Sequence, residues 1–439
     1  MNSKRTATAI TSRTPREIVM TAIVKPLRTP AETGILEAFA ASAALNDPAR
    51  SVREAAIARI ADIGLPGRRN EPWHYTDLRT LLKTVPPVAE LESATALPGA
   101  FVIDGASQIV FSGARMSQSG ALPAGVTLAS LPYDAQVSPA IPAGEALVAL
   151  NAAFALASAA LVIAPGTHAG ALHIAFRDAH EAAASLARRV RIEVQAGASV
   201  TIIESHESRN GLGHLTNTLI EFELGDGAKV HHVRVNSCGD EANSLSTLAA
   251  RVGDNANFAT LSMTTGARVS RHQIFIRYAG EHAHVALRGV SLLRGKQHAD
   301  TTLVIDHATP NCESREAFKT IVDGDATGVF QGRIVVAPHA QKTDARMSSK
   351  ALLLSEGATM NNKPELEIFA DDVQCAHGAT CGELDDNLLF YIMARGLPKR
   401  EAEALLLEAF VGDVIDEVED ETLREVLMDK ARDWLAERT

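Results

Sequence analysis

Apolar positions change their spacing twice along the chain. From Thr33 to about Lys83 they recur at helical steps: Ile35, Phe39 and Ala43 share one face, and Val52, Ala56, Ile57, Ile60 and Ile63 follow at threes and fours. Gly64 and Pro66 end the second of these helices. Residues 84–150 are mixed, with breaks at Pro86-Pro87, Pro132 and Pro142 and short strands expected, as at Phe101-Val102-Ile103. From about residue 160 the period falls to two. Val190–Val194, Thr218–Phe222 and Arg333–Val336 alternate or run apolar as strands do. After Cys381 the helical period returns. Asp385-Asp386 opens a helix with Leu388, Leu389, Ile392 and Met393 as its stripe, and Gly396 closes it. A second helix starts at Pro398 with Ala402, Leu405, Leu406, Ala409 and Phe410 on one face, and a third carries Leu423, Val426, Leu427, Ala431 and Trp434.

Within the strand region a short signature repeats: one residue, Ala, a small or polar residue, then an apolar one. It occurs at Gly197-Ala198-Ser199-Val200, Gly227-Ala228-Lys229-Val230, Asn255-Ala256-Asn257-Phe258, His282-Ala283-His284-Val285 and Gly357-Ala358-Thr359-Met360, with a looser copy at Asp325-Ala326. Successive alanines are 30, 28, 27, 43 and 32 residues apart. Strands and tight turns at a near-constant period predict a β-solenoid, whose rungs bury their apolar side chains only by stacking. The long step before Ala326 hides a missed copy or an insertion. The predicted fold is mainly β, a β-helix core over 151–380 between a helical and mixed N-terminal domain, 20–150, and a C-terminal helical domain, 381–439.

Charge narrows the function. The 439 residues carry a net charge of −11, with no basic stripe of the kind a phosphate backbone requires. Residues 401–439 hold thirteen acidic and four basic side chains, so this tail is either a solvated helical face or a docking surface for a basic partner. Four cysteines without a Cys-x-x-Cys pair point to free thiols in a reducing compartment, the cytoplasm. No run of eighteen apolar residues marks a membrane span. Residues 1–19 form a basic leader, or precede a true start at Met20. No phosphate-binding glycine loop occurs, so any nucleotide chemistry belongs to a partner.

Two groups of side chains invite a metal. His231, His232, His282 and His284 lie on strand-like segments as cupin ligands do, which raises the alternative of a metal-dependent enzyme on a cupin or β-helix fold. The Glu that a cupin places after its His pair is missing, and His282 and His284 sit at tolerant repeat positions. His307 and Cys312 are compatible with a ligand pair, though a buried small thiol is commoner. The denser group is Asp371-Asp372-Val373-Gln374-Cys375-Ala376-His377-Gly378-Ala379-Thr380-Cys381. On a strand Cys375 and His377 share a face, and a thiolate beside an imidazole suits iron or zinc. Two donors make half a site. Cys381 and an acid complete it, or a second chain does, while a structural Cys and a solvated His remain the plain alternative.

The run from Asn361-Asn362-Lys363-Pro364-Glu365-Leu366-Glu367-Ile368 through Cys375-Ala376-His377-Gly378-Ala379-Thr380 resembles the SufB/SufD family of SUF iron–sulfur cluster assembly proteins. Gly332-Arg333, Gln341–Ala345 and Asp385–Gly396 extend the likeness, and Glu71-Pro72-Trp73-His74-Tyr75-Thr76 is similar to the family's N-terminal Glu-x-Trp-x-Tyr-Thr segment. The length and the Cys-x-His-Gly-Ala-Thr form are nearer the D-type subunit than the B-type. The resemblance implies a right-handed parallel β-helix between helical domains and a scaffold rather than an enzyme. It also implies pairing with a SufB-like subunit through the β-helix, or a homodimer when alone, and docking of a SufC-like ATPase on the acidic helices from Pro398 to Val418. By the same resemblance His377 and Cys375 are interface ligands for iron or a nascent cluster. The resemblance also implies that no cofactor is held tightly in isolation and that an iron–sulfur cluster is present transiently in the complex.

Overall fold

The computed structural model describes residues 27–42, 49–89, 101, 103, 105–113, 115–132 and 135–437. The basic leader and Met20 lie outside the described residues. The N-terminal helices are α1 (Pro30–Ala41), α2 (Arg50–Ile63), the short α3 (Leu78–Leu81) and α4 (Ala146–Phe154). Thr29 and Glu32 form a capping box at the start of α1, and Gly64 ends α2 at a positive φ that favours glycine. Phe101 and Ile103 form no strand. They are buried as loop residues against the solenoid, with the Phe101 amide donating to Glu207 at 2.8 Å, so packing rather than a ladder accounts for their apolar character.

Two sheets make the body. One holds β1 (Ser107–Ser112), β2 (Arg115–Ser119), β5 (His168–Asp178), β7 (Ser199–Ser208), β9 (Lys229–Ser237), β11 (Asn257–Thr264), β13 (His284–Leu293), β15 (Glu313–Val322), β17 (Asp344–Leu353) and β19 (Gln374–Gly382). The other holds β3 (Val126–Ala129), β4 (Ala155–Ile163), β6 (Ser185–Val194), β8 (Leu215–Leu224), β10 (Asn243–Val252), β12 (Val269–Tyr278), β14 (His298–His307), β16 (Thr327–Val336) and β18 (Thr359–Ile368). The chain alternates between sheets, so each pair from β4–β5 to β18–β19 is one turn of a parallel β-solenoid. Antiparallel β2 and β3 finish the opposite end.

The repeat marks one corner of this coil. Gly197, Gly227, Asn255, His282, Asn311 and Lys342 all have positive φ there. Each is followed by a buried small side chain: Ala198, Ala228, Ala256, Ala283, Cys312 and Thr343. The missed copies are therefore at Cys312 and Thr343, and the corner recurs every 27–31 residues. Ala326 and Ala358 belong to the other corner, before β16 and β18, which explains the apparent step of 43. Successive corners bond to each other, as in Lys229 N to Ala198 O, 2.8 Å, and Asp344 N to Cys312 O, 3.1 Å.

Three apolar layers result. Between the sheets, rings such as Phe222 and Phe258 meet from rung to rung, tilted, with centroids 5.2 Å apart. The outer face of the even-numbered sheet is covered by the N-terminal helices, with Leu215, Leu245 and Phe275 against their apolar sides. The outer face of the odd-numbered sheet is covered by α6 (Lys399–Ile415) and α7 (Glu421–Ala436), with Val233, Leu261, Val290 and Ile321 beneath Leu407, Val411 and Leu427. In α6 the buried side chains are Ala402, Leu407, Val411, Val414 and Ile415, whereas Leu405 and Ala409 are exposed. The run Leu405-Leu406-Leu407 is apolar nearly all round, and the sheet rather than the period selects the face. Pro398 is the N-cap of α6 rather than its first residue.

Gly289 shows how closely the rungs approach. A Cβ there would run into the Phe318 ring of the next strand. Gly289→Ala is expected to cost about 1–3 kcal/mol in urea denaturation, as overpacking of a dense core does. Phe318→Leu in the same chain should recover part of that loss.

Candidate functional site at the open end of the solenoid

A parallel rung satisfies its backbone by pairing on both sides, and the last rung has a neighbour on one side only. β19 pairs with β17 alone and β18 with β16 alone. Cys375 lies opposite Ala345 and His377 opposite Met347. Ala345 and Met347 belong to the core between the sheets. Residues paired in register share a face, so Cys375 and His377 lie on the inner face at the open mouth, ~7 Å apart along the strand. Cys375 is half-buried against the core, and His377 is exposed. Burial pushes the Cys375 thiol up, so metal binding there would release its proton. Cys381 lies on the same face six residues on, exposed and beyond reach of Cys375 along an extended strand. Among the described residues no three His, Cys, Asp or Glu side chains converge as a metal site. The mouth therefore offers two donors.

Apolar side chains surround it. After β19 comes α5 (Asp386–Ala394), capped by the Asp385 carboxylate, which accepts from Asn387 N at 2.8 Å. No residue of α5 is buried. Of its expected stripe, Leu388 and Met393 are exposed and Leu389 and Ile392 half-buried; Phe390, by 73%, and Tyr391 are exposed too, as are Ile368 and Phe369 on the last rung. Exposed apolar side chains on the last rung and on the helix that follows it are of the kind that association sites carry.

Glu316 is a group that the sequence pattern did not single out. It lies on the inner face of β15 between Leu287 and Met347, two rungs below His377. Burial pushes its carboxyl up to about 8, against smaller opposing effects from the Ser314 hydroxyl and the Arg315 charge. Neither oxygen makes a well-formed hydrogen bond among the described residues, and the Ser314 hydroxyl is engaged with His307 at 3.1 Å. The apolar rungs around it keep it a neutral acid at pH 7.

The other candidates do not assemble. His232 points inward and bonds to Glu204 at 2.9 Å and Thr260 at 2.8 Å, while His231 faces outward near Glu419. His282 is an exposed corner residue and His284 an exposed strand residue two strands from β9. These four form no cupin site. Cys312 fills a small corner slot, and its thiol donates to Gly280 O at 3.3 Å, so it is structural. Part of the acidic tail is used within the chain: Glu417 pairs with Arg288 at 2.7 Å, Glu437 with Arg294 at 2.6 Å, and Asp413 with Lys319.

This architecture is a parallel β-solenoid between helical covers rather than a cupin barrel. The model of the SUF system FeS cluster assembly SufBD core domain matches residues 176–410, more than half of the chain, and the chain belongs to this family. It is similar to the iron–sulfur cluster assembly protein SufD of Escherichia coli, 27% identical over 379 residues that cover 85% of this chain and 90% of that protein. A SufBD family protein of Synechocystis is 29% identical over 399 residues, covering 83% and 86%. The SufD of Plasmodium falciparum is 29% identical over 239 residues, 54% of this chain and 16% of that protein. Two of these three relatives are named SufD. No helix among the described residues is long and apolar enough to cross a membrane.

The Glu316 carboxyl gives a pH prediction. Its folded value lies above its unfolded value of ~4.5. Between the two the unfolded chain has lost the proton and the folded chain keeps it, so Glu316 lowers stability as pH rises from about 4.5 to 8. Glu316→Gln should match the parent near pH 5 and exceed it by a few kcal/mol, on the order of 3, near pH 8 in chemical denaturation.

Proposed function

We propose that this chain is the D-type scaffold of an iron–sulfur cluster assembly complex and that it contributes half of the site on which a nascent cluster forms. One observation carries this reading: a terminal rung paired on one side only presents a thiol and an imidazole on one face, with exposed apolar side chains on the same rung and the helix after it. A second solenoid of the same family, a SufB-like subunit, would extend both sheets across that edge and bring the remaining donors, since a cluster takes four thiolates or their replacements. Iron and sulfide are cargo here, so the chain alone holds no tight cofactor and the cluster resides transiently in the complex. A homodimer through the same edge is the expected form when the SufB-like subunit is missing.

In this reading 20–150 is a cover for one sheet, 151–380 the core and 381–439 the docking domain for a SufC-like ATPase. Residues Pro398–Val418 have one side committed to the sheet and an outward side that keeps Glu401 for the partner, while Glu408 pairs with Arg432 at 2.7 Å. The chain performs no catalysis. His377 is the interface ligand and Cys375 its neighbour, protonated until iron displaces the proton.

The test is His377→Ala in a strain that depends on this system. Loss of a metal ligand costs at least the ~10–100-fold that loss of an outer-sphere partner does. Activity of the strain's iron–sulfur enzymes should therefore fall about tenfold or more while the amount of the chain stays constant. Unchanged maturation would remove His377 from the mechanism.

A further inference from the structure

The segment from Glu71 to Ala89 runs lengthwise over the outer face of the even-numbered sheet, and successive rungs each send a side chain or an edge to it. At the open end the Lys363 ammonium of β18 donates to the Glu71 carboxylate. The Gln331 amide of β16 donates to Pro72 O at 3.2 Å. From β12, Arg271 donates to the same carbonyl at 2.8 Å and its guanidinium lies over the Trp73 ring, 3.7 Å from the centroid. Asp300 of β14 accepts from both Arg271 and the Thr76 hydroxyl. Further along, Arg268 donates to Leu81 O at 3.1 Å, and Val88 bridges to Ser185 at the start of β6. Trp73, Thr76, Arg271 and Asp300 are all buried.

We propose that this segment is a longitudinal strap that holds the rungs in register, and that Lys363 is the positioning residue through which it fixes the unpaired last rung carrying Cys375 and His377. The physical need is specific to that rung. Inner rungs have ladders on both sides, whereas β18 and β19 have one, and most of their side chains are exposed or half-exposed. A solenoid gains stability from each neighbour, so its last repeat is the one that frays. A tie from outside the coil offsets the missing neighbour. The buried Trp73–Arg271–Asp300 contacts anchor the strap two to three rungs away, and Glu71 reaches from that anchor to Lys363. The inference concerns the geometry of the rung and stands whether or not His377 binds iron.

The experiment measures the alkylation rate of each thiol in the full chain together with amide exchange of β18. In Lys363→Glu at low salt, Cys375 should react and β18 exchange about two- to fivefold faster, the range that an exposed ion pair can supply. Cys238 and Cys312, buried in inner rungs, should stay protected. Adding Glu71→Lys to that variant restores the opposite charges and should return Cys375 to its parental rate. Gln331→Leu, which keeps the volume and loses the bond to Pro72, should accelerate β16 and β18 together. An unchanged Cys375 in Lys363→Glu, no rescue by the charge swap, or parallel opening of Cys238 and Cys312 would each overturn the proposal.

Discussion

Every backbone amide and carbonyl of a parallel solenoid depends on the rung above or below for its hydrogen bond, and a coil of this kind must stop somewhere. Here one end finishes in antiparallel β2 and β3, while the other simply stops at β18 and β19. An open strand edge costs specificity and invites pairing, so most proteins charge it, bend it or cover it. This chain sets Lys363, Pro364, Glu365 and Glu367 on β18 but leaves the edge itself uncovered among the described residues. It places Ile368, Phe369 and the apolar side of α5 beside the edge and puts Cys375 and His377 on the inner face of the mouth. In the reading proposed above, the open ladder, the exposed apolar side chains and the two donors would be completed by a second polypeptide.

The rest of the architecture makes that edge usable. A two-sheet coil has two outer faces as well as a core, and both would be exposed if the chain were solenoid alone. The N-terminal helices cover one and α6–α7 the other. Acidic side chains of α6, α7 and their flanks find Arg288, Arg294 and Lys319 on the odd-numbered sheet, so the tail's charge is partly a tie to its own body. Such exposed or half-exposed pairs contribute little each. The burial of Leu407, Val411, Leu423 and Leu427 does more. In the proposed reading, association would fall on the end left bare.

Much of this was legible in the residues. The corner alanines announced a solenoid because only a small side chain fits where successive turns touch. Two copies escaped because Cys312 and Thr343 meet the same steric need with different atoms. Period-two alternation placed Cys375 and His377 on one face. Glu316 was not legible: in Glu313-Ser314-Arg315-Glu316-Ala317-Phe318 it reads as one more solvated charge, and only closure of the coil buries it. The face of α6 was misread because its apolar residues surround the helix. The strap was invisible for a different reason. Trp73 and Arg271 lie about two hundred residues apart, and no local pattern encodes a contact at that separation.

The central claim is that the mouth holds half a site. Anaerobic reconstitution with iron and sulfide, read by metal content and Mössbauer spectra, tests it most directly when run on the chain alone and on its complex with a SufB-like subunit. The account predicts adventitious iron on the isolated chain and a stoichiometric cluster on the complex. A complete, stable iron–sulfur centre on the isolated chain would contradict it.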